Sequence, residues 1–331
     1  AAKFSAVVIQ KFGPPEVMQV ASKELPEPGR GQLLVEVRAA GVNPSDTYIR
    51  LGPHGPWAAT PHLLPSLPFT PGRDGAGIVL ALGEGCAGFS VGDRVYTTGS
   101  VSGTYAARAI VDQAMAKPLP DNVSFAQGAC IGVPCATAFH ALKFRARAAA
   151  GDKVFVHGAS GAVGLAAVQL AKDMGCFVVG SAGTEAGEEA VRASGADVVV
   201  NHRQSDYLEK VKAAAPDGFS VILEMAADRN LPVDLTLCGR RACICIIGSK
   251  AEAVPINPRT TMVPEIDIRG VFLGSQTAEE VQATHRALFE AMSRGVLKPV
   301  VGMELSLDDA AKAHEEVMKP SRGGAVGNIV L

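Results

Sequence analysis

Residues 151–172 read GDKVFVHGASGAVGLAAVQLAK, and this stretch constrains the fold more than any other. A short apolar run at 154–156 enters a turn holding Gly158, Gly161 and Gly164, and a long apolar, alanine-rich pattern leaves it. Strand, glycine turn and helix in that order bring backbone close to whatever lies at the turn, because Gly161 has no Cβ. The following helix aims free N–H groups and the positive end of its dipole at the same point, where an anion such as a pyrophosphate fits. Gly164 lets the helix lie tight on the strand. The strict G-x-G-x-x-G spacing would put its first glycine at 159, which is Ala159, so the glycines alone would equally suit a βα turn without a ligand. Context selects the dinucleotide reading: the turn follows a strand, opens a helix and begins a series of strand–helix units.

That series is legible downstream. The patterns predict strands over 154–157, 177–181, 197–201, 220–224, 242–247 and 268–273, with helices over 162–174, 185–194, 207–214 and near 230–237. Strand–helix alternation predicts a Rossmann-type α/β domain, a doubly wound parallel sheet with helices on both faces. A helix over 278–294 is marked by a capping box, Thr277 with Glu280, and stopped by Gly295. A further helix is expected over 125–141, another over 307–318, a turn at 322–324 and a last strand over 328–331.

Upstream the character differs. Short apolar runs at 6–9, 33–37, 76–80 and 94–97 alternate with Gly/Pro turns, so residues 1–125 read as β-rich. Residues 51–71 form a long loop with six prolines and the only tryptophan, Trp57. Loops of this length in compact domains are often functional, and this one is expected to shape access for a substrate. A chain of 331 residues exceeds what one core fills, so two domains are expected.

Charge and cysteines narrow the function class. The net charge of −2 lacks the basic excess of a nucleic-acid binder, and no apolar run is long enough to span a membrane. The N-terminal segment lacks the long apolar core of a signal peptide. Seven scattered cysteines, an odd number, are no disulfide framework, and all are read as structural. A cytoplasmic protein is expected.

The glycine turn and its flanks resemble the zeta-crystallin-like quinone oxidoreductases of the medium-chain dehydrogenase/reductase superfamily. The resemblance rests also on Gly41-Val42-Asn43-Pro44, Thr47-Tyr48-Ile49-Arg50, Thr70-Pro71-Gly72, Gly92-Asp93-Arg94-Val95, Ser181-Ala182-Gly183-Thr184, Asn201-His202-Arg203, Ile247-Gly248-Ser249 and Ile256-Asn257-Pro258-Arg259. It covers nearly the whole chain. Two departures are Ala162, where many relatives have glycine, and the 51–69 loop, which is longer than usual.

The resemblance implies a GroES-like β-rich domain over 1–125, completed by 296–331, and a Rossmann domain over 126–295, with the nicotinamide between them. It implies cofactor contacts at Tyr48, Ser160, Gly161, Ala162, Val163, Gly183, His202, Asn230, Ile246, Ile247, Gly248, Ser249, Val271, Phe272 and Leu273. Zinc-dependent relatives need a cysteine near position 43 and Gly-His-Glu near 73. Here stand Asn43 and Gly72-Arg73-Asp74, so no metal is expected. His54 and His62 are read as ordinary loop histidines, His157 as core, and Asp74 as a brace for local backbone.

The expected reaction is metal-free hydride transfer from NADPH to a quinone. Tyr48 and Asn43 are the candidate donors to the developing charge on the quinone oxygen. Tyr48 could otherwise be a packing aromatic, and Asn43 reads equally as a turn residue before Pro44. NADPH is expected over NADH because no acid stands at the end of the second strand, where NAD-specific folds place one. Ser181, Thr184, His202, Arg203 and Arg322 are there to meet a 2′-phosphate instead. Reduction of an enone or alkenal double bond is the alternative reaction, and a crystallin-like or RNA-binding role a minor one. The run Val271-Phe272-Leu273, read as a late and possible edge strand, leads to the expectation of a homodimer or homotetramer.

Overall fold

The structure, a computed structural model, describes residues 3–250 and 253–331. In chain order the first strands are β1 (Phe4–Ile9), β2 (Met18–Lys23), β3 (Gln32–Val42), β4 (Asp74–Leu82), β5 (Arg94–Thr98), β6 (Arg108–Asp112) and β7 (Ala116–Pro118). Then come β8 (Lys153–Val156), β9 (Phe177–Ala182), β10 (Val198–Asn201), β11 (Phe219–Glu224), β12 (Cys238–Ile246) and β13 (Asp267–Gly270). The last two are β14 (Val301–Glu304) and β15 (Asn328–Val330).

The chain divides into two units. The first holds the residues up to Val133, with Pro299–Ser321 and Gly327–Leu331. Its main sheet runs β14-β15-β3-β4-β5-β7, with β6 on β3, while β1 and β2 form a separate antiparallel pair. Along β3, Leu33 and Val35 turn inward to meet Val79, Val95, Ala109 and Val111, and the residues between them stay partly exposed. That alternation is the signature of a sheet with one wet face. A second apolar cluster joins Val7, Ile9, Val42 and Tyr105 to Ala310 and Ala313 of the helix Ala310–Met318, which returns the C-terminal segment to this unit.

The second unit comprises Pro134–Lys298 and Arg322–Val326. Its sheet is parallel throughout, in the order β10-β9-β8-β11-β12-β13. Numbered within the sheet this is 3-2-1-4-5-6, the doubly wound arrangement, whose direction reverses between β8 and β11. The central strands are continuous apolar runs because helices cover both faces: Phe155, Val179, Phe219, Ile222 and Ile244 share one core with Leu231 and Leu235 of the helix Ala227–Leu237. The Rossmann and GroES-like architectures expected from the sequence are both present.

Two elements differ from the sequence reading. The helix expected over 125–141 breaks into an α-turn at Phe125–Gly128 and wide, five-residue turns at Ile131–Cys135 and His140–Ala146 around the α-helical Ala136–Phe139. Pro134 lies inside the first wide stretch; it has no N–H to donate, and the helix widens around it. The strand expected over 268–273 ends at Gly270: Val271 still donates to the Ile246 carbonyl at 2.9 Å, and Leu273–Ser275 then forms a 3₁₀ turn. The sheet edge is therefore β13 itself, and Phe272 lies beyond it, exposed.

Candidate dinucleotide site

β8 delivers the chain into the glycine turn at the carboxyl end of the sheet, at the point where strand order reverses. Gly158 has φ +54°, a conformation that favours glycine. Its N–H donates to Ser181 Oγ at 3.2 Å, and Ala159 N–H donates to the Ser181 carbonyl at 2.7 Å, so β9 pins the turn. Ser181 is buried by this work and holds the turn rather than reaching outward.

Gly161 is the N-cap of the helix Ala162–Asp173, and no side chain caps that helix. A Cβ on Gly161 would meet only the Gly158 carbonyl, at 3.4 Å, whereas one on Gly164 would strike the Ala159 Cα at 2.6 Å. The two glycines thus do different things: Gly161 keeps space clear before an uncapped helix N-terminus, and Gly164 packs helix on turn. An uncapped N-terminus behind a Cβ-free approach suits an anion, so these residues fit the pyrophosphate of a dinucleotide.

Other candidate residues lie along the same carboxyl edge. Ile247 and Gly248 donate to the Glu224 carbonyl at 2.8 and 3.3 Å, and the Gly248 carbonyl accepts from Ala227 N–H at 2.9 Å. A Cβ on Gly248 would lie 2.5 Å from the Met225 carbonyl, so the loop after β12 presses against the loop after β11. Past β9, Gly183 faces the side chains of His202 and Arg203: its Cβ would meet His202 Nε2 at 2.6 Å and Arg203 Nε at 3.1 Å. The Arg203 guanidinium donates to the Gly323 carbonyl, and Gly324 lies against Thr184. The turn that carries the exposed Arg322 therefore belongs beside the end of β9. Thr184 caps the helix Glu185–Ala193 by accepting from Gly187 N–H at 3.1 Å. Glu185 is exposed on that helix's first position, and Glu188 is held by the Asn201 amide, which donates to it at 2.6 Å. Burial, helped by Arg203, lowers the pKa of His202, so Arg203 is the lasting positive charge here.

In the sequence His157 reads as core, and nothing there singles out Glu224 or Asp234. The structure gathers all three, with one ligand-type atom of each lying within 4.8 Å of the others. His157 Nε2 stands 2.7 Å from Asp234 Oδ1 and 3.3 Å from Glu224 Oε2. Burial pushes both carboxyls up to about 7, with the His157 charge opposing that rise at Glu224. Burial also lowers the His157 pKa, opposed by Glu224. Asn230 lies against this cluster, its Nδ2 3.1 Å from Glu224 Oε1.

Tyr48 and Asn43 lie in the first unit. Asn43-Pro44 starts the helix Pro44–Leu51, with proline in its first turn, and Tyr48 is half-buried on it against Trp57 of the proline-rich loop, ring centroids 6.0 Å apart. Burial raises the Tyr48 pKa, so its hydroxyl keeps its proton at neutral pH and can donate. Asn43 is buried; its amide donates to Asp74 Oδ2 at 3.0 Å and its backbone N–H to Asp46 Oδ2 at 2.9 Å. Asp74 also accepts from Val133 N–H at 2.9 Å, and burial pushes its pKa up to about 7.

Comparison with known proteins follows the same division. The zinc-binding dehydrogenase family model matches residues 162–290, and the alcohol dehydrogenase GroES-like domain model matches residues 29–121. The quinone oxidoreductase of Sus scrofa is 45% identical over 329 residues, 99% of this chain and 97% of that protein. That of Homo sapiens is 42% identical over 328 residues, 98% of this chain and 97% of that protein. The crystal structure of Escherichia coli quinone oxidoreductase complexed with NADPH has a TM-score of 0.83 to this chain at 26% identity, covering 99% of this chain and 100% of that one. An NAD-dependent alcohol dehydrogenase structure has a TM-score of 0.87 at 28% identity, covering 99% of each chain.

Proposed function

Because the chain belongs to the quinone oxidoreductase family of the medium-chain dehydrogenase/reductase superfamily, we propose that it reduces quinones with NADPH, without a metal, in the cytosol. The observation that carries this reading is the uncapped N-terminus of Ala162–Asp173 behind the open face of Gly161, with Gly183 and Thr184, and no acid, at the end of β9. NADPH, when bound, supplies the hydride. The backbone from Ser160 to Val163 holds its pyrophosphate, and Ile246 to Ser249 with Asn230 line the nicotinamide half. Arg203, with Thr184 and Arg322, meets the 2′-phosphate, and the Gly323 carbonyl steadies the Arg203 guanidinium.

Quinones accept a hydride readily, so the protein's task is to place the acceptor and stabilise charge on its oxygen. The Tyr48 hydroxyl is the donor we assign to that charge. Asn43 has one amide hydrogen committed to Asp74, and these two stand where zinc-dependent relatives carry the cysteine and the glutamate of Gly-His-Glu, with Arg73 in place of the histidine. A hydrogen-bonded Asn43–Asp74 pair there supports chemistry without a metal.

The test is kcat/KM for NADPH and for NADH with one quinone. A charge-assisted hydrogen bond to the phosphate contributes roughly 1.5–3 kcal/mol, so NADPH should win by about 10- to 100-fold. A ratio near one, or favouring NADH, would sink the cofactor reading. Faster turnover of enones or alkenals than of quinones under the same conditions would move the substrate class to double-bond reduction.

A further inference from the structure

The buried trio of His157, Glu224 and Asp234 has no part in the chemistry above, yet it adjoins Asn230, which does. Its construction explains why it is there. His157 follows β8 directly, and its N–H donates to the Leu223 carbonyl at 3.0 Å, which sets it level with Glu224, the last residue of β11. The helix Ala227–Leu237 then brings Asn230 and Asp234, four residues apart and hence on one helical face, over the pair.

The polarity of the cluster can be followed from atom to atom. His157 Nε2 lies 2.7 Å from an Asp234 carboxyl oxygen, and we assign the ring hydrogen to Nε2, facing the carboxylate. Burial lowers the ring's pKa and keeps it neutral, which leaves Nδ1 an acceptor. Glu224 Oε1 is fixed by the Ala226 N–H, which donates to it. The Asn230 amide therefore faces two acceptors, Glu224 Oε1 at 3.1 Å and His157 Nδ1 at 3.5 Å. Only its NH₂ end satisfies them. Its Oδ1 is turned the other way, and no group among the described residues donates to it.

We propose that His157, Glu224 and Asp234 are positioning residues that lock the Asn230 amide with Nδ2 inward, so that Oδ1 accepts a hydrogen bond from a hydroxyl or carboxamide donor of the dinucleotide. The proposal rests on the NADPH reading above. It adds that the orientation of a single amide, set by a buried proton arrangement, governs cofactor affinity.

The experiment measures the NADPH Kd by fluorescence, without acceptor, together with the KM of a quinone. Asn230→Ala should weaken NADPH about tenfold, the loss of one hydrogen bond. Glu224→Met keeps side-chain bulk but removes the acceptor, and should weaken NADPH by a similar factor. The Asn230→Ala/Glu224→Met double variant should lose no more than either alone, because both act through the same bond. Glu224→Gln keeps an oxygen for Asn230 and should stay within about twofold of wild type. Quinone KM at saturating NADPH should not move in Glu224→Met or Glu224→Gln, since Glu224 is fully buried. Losses that multiply in the double variant, or Glu224→Gln failing as badly as Glu224→Met, would overturn the proposal.

Should Glu224→Met not fold, hydrogen exchange of the Asn230 side-chain NH₂ in selectively ¹⁵N-labelled wild-type protein decides it. Protection in the absence of cofactor is expected, and free exchange would refute the lock. Elemental analysis of the same sample is a further check: a stoichiometric divalent metal would mean that the trio binds an ion rather than bracing Asn230. Wild type that binds NADPH but does not reduce quinones would overturn the substrate assignment alone, with the Kd series still deciding this one. Wild type that does not bind NADPH would overturn both.

Discussion

Replacing each of two glycines in the same turn by alanine should produce opposite defects. At Gly161 the backbone has φ −74° and ψ 172°, open to any residue, and an added Cβ meets only the Gly158 carbonyl, at 3.4 Å. Gly161→Ala should fold at least as well as wild type, with a gain of about 0.4–1 kcal/mol from a stiffer unfolded chain. The methyl would nevertheless stand where the pyrophosphate must approach the helix N-terminus. Losing one or two charge-assisted backbone hydrogen bonds, roughly 1.5–3 kcal/mol in all, raises the NADPH Kd by about 10- to 100-fold. At Gly164 the added Cβ would lie 2.6 Å from the Ala159 Cα and 2.7 Å from its carbonyl carbon and oxygen, all backbone. Helix and turn must separate, at about 1–3 kcal/mol, against a gain of roughly 0.5–1 kcal/mol for alanine in a helix. Gly164→Ala should therefore melt several degrees low.

The assays are a thermal melt and an NADPH fluorescence titration on both variants. Gly161→Ala binding NADPH within about twofold of wild type, with an unchanged melt, would refute the backbone cradle. Gly164→Ala melting like wild type would refute the packing role.

Asp74 offers a test through pH. Its folded pKa is raised to about 7 from 3.8, so between those values the native state holds a proton that the unfolded chain has released, and stability falls as pH rises. Asp74→Asn abolishes this term. Its urea stability relative to wild type should climb by up to about 1.4 kcal/mol per pH unit from pH ~4 to ~7 and then level off. A difference that stays flat across that window would show that Asp74 is ionised throughout. Dialysis against a strong chelator should leave quinone reduction intact, and zinc present in stoichiometric amount and lost in step with activity would refute a metal-free mechanism. The outer strand β13 has a neighbour on one side only, and we expect it to pair two copies across a two-fold axis. A monomer mass by sedimentation at micromolar concentration would count against this.

What could be seen in the sequence was what neighbouring residues decide together. The turn at 158–164, the Thr277–Glu280 capping box and the alternation of strands and helices are all local, and the structure has each of them. Where the reading failed locally, the cause is local too. Pro134 widens a helix that apolar spacing alone extends smoothly, and Asn43-Pro44, for which a turn was one of two readings, opens the helix that carries Tyr48. The polar clusters are a different matter. His157 and Asp234 are 77 residues apart and Tyr105 and His314 209 apart, and each pair hydrogen-bonds in the dark of a core. In the sequence His157 and Asp234 are single polar residues among mainly apolar neighbours, while His314 stands beside Glu315 and Glu316, and neither setting tells a buried polar residue from a solvent-facing one until the fold closes over it. Burial then changes what these residues are. A carboxyl with a pKa near 7 and a histidine held neutral no longer act as an acid and a base of ordinary strength; they become fixed donors and acceptors. The glycine turn identifies the ligand class because it is a backbone device written in consecutive residues. The orientation of Asn230 is a side-chain device written across three elements, and only their packing reveals it.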